Sequence, residues 1–391
     1  MSEARTTFLG ALLTMLGPIS MAIYTPAMPE LVRAFATTEA AIKMSLSMFF
    51  CGFALAQLVA GPLADALGRK SATLIFISIY LAGSVLAAMA PSVEFILAAR
   101  LIQGIGASVG IVVSRAIVRD LYVGADGARI LNTIGIFIAV GPATGPVLGG
   151  LTLAAFDWHA LFLLMIVFGL AAAACVIFVL RETVTPDLSR LRPARLIGNY
   201  CRVATNRQFI ATALVLSGSV GALYAQSTML PFVLIDRVGL SPTQFGIGML
   251  MQSGFYLLGS VSLRLVSNRL SGARAALFGI TLCGLGAVLM ALSVAFVPPA
   301  FLTVMVPVAI CTYGLAFLSP YVVTLCLAPF PGMAGSASAL SGFLQMTAGF
   351  IGGVAAASMA DPLKAFGVII PAMEFSAVAG FIWMRRLSRQ A

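Results

Sequence analysis

Apolar runs of about 20 residues recur from one end of the chain to the other, the length a helix needs to cross a bilayer. Twelve are read: 7–29, 43–64, 72–90, 95–117, 128–153, 159–180, 208–235, 242–264, 274–294, 300–325, 334–358 and 365–384. Backbone groups in lipid must satisfy one another, so runs of this length are helices. The pattern predicts an all-α polytopic membrane protein of about twelve transmembrane helices. Residues 181–207 interrupt it with six arginines and two prolines. They divide the chain into an N-terminal six-helix half (1–180), a cytoplasmic central loop (181–207) and a C-terminal six-helix half (208–391). The halves echo each other: Gly149-Gly150 matches Gly352-Gly353, and Gly68-Arg69 matches Ser271-Gly272, both about 203 residues on. Internal repetition of this kind builds pseudo-symmetric secondary transporters with the substrate site between the halves. The first run is too long for a cleaved leader and has no clear small-residue cleavage site, so it is expected to stay as span one.

Composition sharpens this picture. Hydrophobic residues make up 60% of the 391 and charged ones 9%, too few to cover a soluble surface. The net charge of +10 would suit nucleic acid if it were clustered, but it is spread by topology. With the N-terminus inside, eighteen of the 23 Lys and Arg fall at cytoplasmic ends, among them Arg69, Lys70, Arg119, Arg190, Arg192 and Arg389. Arg33, Lys43, Arg237 and Lys364 fall outside, and Arg100 lies within a span. This positive-inside bias places both termini in the cytoplasm and calls for no nucleic-acid partner. The six cysteines form no CxxC and read as apolar packing. His159, the only histidine, sits at an outer helix end, so a metal site has nothing to build on and no cofactor is expected.

Several stretches carry more than hydropathy. Between spans two and three runs Gly61-Pro-Leu-Ala-Asp65-Ala-Leu-Gly68-Arg69-Lys70. Asp65 and Arg69, four apart, are able to face one another, and the positive-inside bias explains neither the Asp nor the two glycines. A small-residue start at Gly335-Ser-Ala-Ser338 opens span eleven and makes a latch between the halves physically plausible. Span four holds Arg100-Leu-Ile-Gln103-Gly104-Ile-Gly106. Span five holds Gly141-Pro142-Ala-Thr-Gly145-Pro146-Val-Leu-Gly149-Gly150, where small residues permit close helix approach and prolines remove backbone donors. Tyr24-Thr-Pro26-Ala-Met-Pro29 breaks span one, which is tolerated at depth beside a cavity or inside protein.

Together these stretches resemble the major facilitator superfamily. The 61–70 loop is similar to its signature loop, and the span-five element resembles that of twelve-span drug:proton antiporters. The Tyr24–Pro29 element, with Arg119-Asp120-Leu-Tyr122, resembles the bicyclomycin/chloramphenicol-resistance subfamily. The resemblance implies a gating latch at Gly61, Asp65, Gly68, Arg69 and Asp120. It also implies an export-associated element at Gly141, Pro142, Gly145, Pro146, Gly149 and Gly150. Members of that subfamily carry an Asp where this chain has Ala22, so their usual proton-binding candidate in span one is absent.

One acid stands at membrane depth, Glu374 in span twelve. An ionised group there costs about 2.5–3.5 kcal/mol, so it is protonated, paired or solvated, which makes it a possible proton site. Its competing reading is a neutral structural acid bonded to a neighbouring helix. Arg100 is the one basic residue well inside a span, and without an acid at position 22 it leaves the N-terminal cavity positive. Tyr24, Pro26, Arg100, Gln103, Gln57 and Gln226 are the expected substrate-cavity residues. Tyr224, Gln252 and Tyr256 are further hydrogen-bonding candidates.

The reading is a multi-pass transporter of the bacterial inner membrane, a monomer whose two halves already enclose a site. It exports small amphipathic neutral or anionic compounds in exchange for protons. An uncoupled facilitator or uptake carrier is the nearest alternative, and a non-transporting sensor or assembly partner is one of another class. No metal cluster, nucleophile–base pair or phosphate-cradling loop points to an enzyme.

Overall fold

A computed structural model describes residues 1–122, 125–188 and 193–387. Among the described residues the secondary structure is helical. Twelve helices among these residues are long and apolar enough to cross a membrane: Glu3–Ala34, Glu39–Leu67, Arg69–Ala88, Val93–Leu121, Arg129–Ala155, His159–Val179, Arg207–Gln226, Pro242–Val266, Gly272–Phe296, Phe301–Leu327, Ala334–Ala357 and Pro362–Leu387, here spans one to twelve. With twelve crossings both chain ends fall on one face, the terminal face; the opposite one is the distal face. Arg190, Arg192 and Arg389, counted above in the charge bias, lie outside the described residues.

Many helices outrun the apolar stretches that predict them, because a helix ends where its backbone is capped. Span two begins at Glu39, where Thr38 Oγ1 accepts a hydrogen bond from Ala41 N at 3.2 Å. Span seven is shorter than its apolar run. It ends at Gln226, and a π-helical turn follows at Phe232–Arg237. Ser227 and Thr228 hydroxyls bond to the Leu223 and Ala225 carbonyls, and Pro231 has no N–H to carry the helix on.

Span one bends at Thr25–Ala27, a 3₁₀ turn. Pro26 removes the N–H that would reach the Ala22 carbonyl, and Thr25 replaces it with both its N–H and its hydroxyl, the latter at 2.8 Å. Span two solves the same problem across the chain. Pro62 frees the Leu58 carbonyl, and the Tyr200 hydroxyl donates to it at 2.6 Å. Tyr200 belongs to a helix, Pro193–Ala204, inside the stretch that reads from sequence as a polar connection. Burial pushes the Tyr200 phenol above its ordinary value, so it stays a donor. The segment before this helix is also pinned to span two, through Asp187 N to the Ala66 carbonyl at 2.8 Å.

One apolar core is built by spans one to six, joined by Phe232 and Met346. Two others are built within spans seven to twelve and their connections. The two sets of six meet most extensively where span two packs on span eleven and span five on span eight. At the distal end the second contact is backbone to backbone. A Cβ on Gly150 would strike the Pro242 carbonyl, and one on Gly246 would strike the Pro146 carbonyl. Thr243 Oγ1 donates to the Gly150 carbonyl at 3.1 Å across the same junction. Between span two and the turn after span seven, Lys43 is 1% exposed, paired with Glu39 at 3.1 Å and seated 5.1 Å from the Phe232 ring centre. The distal face is closed.

Candidate functional site

Below that closure lies a central cavity of about 360 Å³. Span one contributes Pro18, Met21, Ala22 and Thr25, and span five Pro142 and Pro146. Span seven adds Leu223 and Tyr224, and span ten Thr312, Leu315 and Ser319. The span-eight wall is a helical stripe, Phe245, Met249, Gln252, Ser253 and Tyr256, spaced so that each turn offers one face. Gly135 and Ser319 extend the wall towards the terminal face. Among the described residues no charged side chain lines it, and the volume falls in the range of small-molecule sites.

The span-five element sorts itself by helical spacing. Gly141, Gly145 and Gly149, four apart, press on Pro18, Ala22 and Ile23 of span one. Pro142 and Pro146, one position on, face the cavity. Gly150 meets the other half. A single ten-residue pattern thus packs a half together, walls the cavity and closes the distal face.

None of the six residues expected to line the substrate cavity lines it in this conformation. Tyr24, Arg100 and Gln103 are fully buried within the first half. The Arg100 guanidinium lies 4.3 Å from the Tyr24 ring centre and 4.5 Å from that of Phe49, a cation held between two aromatic faces. It donates to Gln103 Oε1, whose amide in turn donates to Ser84 Oγ at 2.8 Å. Tyr24 and Ser45 share a 2.6 Å hydrogen bond. Pro26 lies against the Gly149 position. Gln57 lines a separate pocket of about 620 Å³ at the terminal face, with Arg115, Tyr200 and Ser338. Gln226 lines a narrow crevice instead. Hydropathy does not report which face of a span meets the cavity, because both faces are apolar.

That crevice holds Glu374. The residue is 4% exposed and faces protein, not lipid; Ser219 Oγ donates to its Oε2 at 2.9 Å. Gln226, Cys311 and Thr312 share the crevice, and Leu223, Thr312 and Leu315 belong to both its wall and that of the central cavity. The one acid read at membrane depth is therefore a side chain's thickness from the cavity.

At the terminal face the signature-loop residues come together. Arg69, 3% exposed, pairs with Asp120 through Nε at 3.0 Å and with Asp65 through Nη1. Its members sit on spans two, three and four, so the cluster binds one half to itself. The contact across the halves is made beside it, by Arg115 Nη1 to Ser338 Oγ at 3.2 Å. Gly68, at φ +89°, turns the chain into span three, a conformation that favours glycine. Two participants carry no signal in the loop motif. Glu182 accepts from Arg69 N at 2.6 Å and Lys70 N at 3.1 Å, placing a carboxylate on the open helix start. Thr183 Oγ1 donates to Asp120 Oδ2 at 2.8 Å. The only hint of either is an acid just past span six.

The profile of the Major Facilitator Superfamily matches residues 10–353. The chain belongs to that family. It is a multi-pass membrane transporter, a carrier and not an enzyme. It is 30% identical over 354 residues to a protein of Bacillus subtilis (strain 168) named "Uncharacterized MFS-type transporter YdgK", covering 88% of this chain and 86% of that one. It is 27% identical over 334 residues to "Multidrug resistance protein D" of Escherichia coli (strain K12), covering 85% and 84%. Among solved structures the fold is similar to a D-xylose-proton symporter, with a TM-score of 0.74 at 13% identity over 97% of this chain and 96% of that one. The facilitator fold thus accounts for the two sets of six spans around the central cavity.

Proposed function

We propose that this facilitator exports small neutral amphipathic molecules across a bacterial inner membrane, driven by protons moving inward. The observation that carries this reading is a central cavity closed at the distal face and, among the described residues, walled without a charged side chain. The terminal face is cytoplasmic in this scheme, so the conformation is inward-facing and receives its cargo from the cytoplasm. Arg100 is screened by two rings and does not present its charge to the cavity, which narrows the sequence-based expectation from neutral or anionic cargo to neutral. Similarity to proteins named for multidrug resistance supports export.

Coupling is assigned to Glu374. A carboxyl this deep is held neutral by a proton or stabilised by partners, and it shares a wall with the cargo. Cargo and proton then bind the carrier alternately, each disfavouring the state the other prefers. The terminal-face cluster around Arg69 holds the ends of spans two to four as one rigid unit while the halves rock.

A second reading rests on Ala22, which lines the cavity at the position where the subfamily resemblance implies an acid. It makes the chain an uncoupled facilitator. Efflux from cells separates the two. Cells expressing the protein are expected to hold less of a neutral amphenicol-type drug than control cells, and a protonophore is expected to erase the difference. Equilibration of drug that ignores the protonophore would favour the facilitator, and no difference from control cells would sink both.

A further inference from the structure

The central cavity has two unlike walls. The first half supplies Pro18, Met21, Ala22, Gly135, Pro142 and Pro146, and among the described residues Thr25 is its one hydroxyl. That hydroxyl is spent on the Ala22 carbonyl at 2.8 Å. The second half supplies the hydroxyls of Tyr224 on span seven, Ser253 and Tyr256 on span eight, and Ser319 on span ten. A serine or threonine inside a helix commonly donates to its own backbone, as Ser227 and Thr312 on this wall do to the Leu223 and Val308 carbonyls. Ser253 and Ser319 do not. Among the described residues none of the four hydroxyls has a protein partner, and each keeps accessible surface. The Tyr224 ring packs on Phe50 with ring centres 5.6 Å apart, which seats the ring and leaves its hydroxyl to the cavity. A hydroxyl both donates and accepts, so this wall takes either kind of polar group. The opposite wall offers a polar group no partner, and a polar group buried there unpaired is costly.

We propose that the cavity holds its cargo in one orientation, with the polar end on the hydroxyls of Tyr224, Ser253, Tyr256 and Ser319 and the apolar end on the proline and methionine wall. The preferred substrates are then neutral molecules whose hydroxyl, carbonyl or amide groups lie together at one end. This rests on the central cavity being the cargo site and adds how that site sorts molecules of equal overall polarity. The hydroxyl wall is also the one that backs onto the Glu374 crevice, through Leu223, Thr312 and Leu315. The polar end of the cargo therefore lies on the wall that separates the cavity from the coupling acid.

Two isomers of one composition test it, bound to the purified full-length protein in proteoliposomes. In 3,5-dihydroxybiphenyl both hydroxyls sit on one ring; in 4,4'-dihydroxybiphenyl they sit at opposite ends, farther apart than about one helical turn. Wild type is expected to prefer the one-ended isomer by about tenfold or more, because the two-ended isomer strands a hydroxyl on the apolar wall. Combining Tyr224→Phe, Ser253→Ala and Tyr256→Phe breaks no hydrogen bond among the described residues. It is expected to bring the two isomers within about threefold of each other, through weaker binding of the one-ended isomer. Met21→Gln keeps the side-chain length and places a polar group on the apolar wall; it is expected to tighten the two-ended isomer by about threefold or more. A preference that survives the triple variant, a two-ended isomer indifferent to Met21→Gln, or wild type that binds both isomers equally overturns the fixed orientation while leaving the cavity as the cargo site. Wild type that binds neither isomer overturns the cavity reading and this inference together.

Discussion

Replacing Gly150 and Gly246 together by leucine is expected to drive the resting protein out of its distal-closed state. At both positions the first side-chain atom would meet a carbonyl of the opposite half, and backbone cannot step aside as a flexible side chain can. Overpacking typically costs about 1–3 kcal/mol per site. The penalty falls only on the conformation in which spans five and eight touch, so the pair shifts the closed-to-open ratio by about thirtyfold or more. The readout is the reactivity of a cysteine at Thr25, a cavity residue, towards an impermeant maleimide added at the distal face of a cysteine-free protein. Labelling is expected to rise steeply in the double variant and to stay low with Gly254→Leu, where a Cβ meets nothing within 4 Å. Equal labelling of the double variant and wild type would mean that this junction does not hold the distal face shut.

The second large effect concerns Arg69. Arg69→Leu leaves Asp65 and Asp120 without their shared cation. Breaking a buried ion pair costs about 3–5 kcal/mol, but Asp65 is 46% exposed and Asp120 16%, and solvent screens part of that. A loss of about 2 kcal/mol is the expected result, seen as a lower thermal midpoint in detergent. Removing all three charges, with Arg69→Leu, Asp65→Asn and Asp120→Asn combined, is expected to recover more than half of it, because no lone charge then remains. A triple variant no more stable than the single one would assign the loss to lost packing of the arginine stem.

The fold was legible because its signals are long. Runs of about 20 apolar residues are unmistakable, and the spacing of four among Gly141, Gly145 and Gly149 already places them on one helix face. The site was less legible because its signal is directional. Gln103 and Gln252 look alike in sequence, each a glutamine in an apolar span. The fold buries the first in a network with Arg100 and Ser84 and leaves the second unpartnered at the cavity. Tyr24 and Thr25 are neighbours, yet the helix turns one inward and the other to the cavity. Glu182 lies 113 residues from Arg69 and joins it only because span six returns the chain to the same face. The Pro193–Ala204 helix was hidden by its arginines, since a polar stretch between spans reads as a connection whatever its local structure.

Coupling through Glu374 is the centre of the functional account, and reconstituted flux tests it most directly. Purified wild type and Glu374→Gln are compared in proteoliposomes loaded with a neutral amphenicol-type drug, with and without an imposed pH gradient. The account predicts that the gradient drives uphill flux in wild type. It predicts that Glu374→Gln loses this uphill flux while still exchanging drug down its own gradient, because glutamine keeps the hydrogen bond from Ser219 and cannot carry the proton. Uphill flux that persists in Glu374→Gln would contradict the account and place the coupling group elsewhere in the chain.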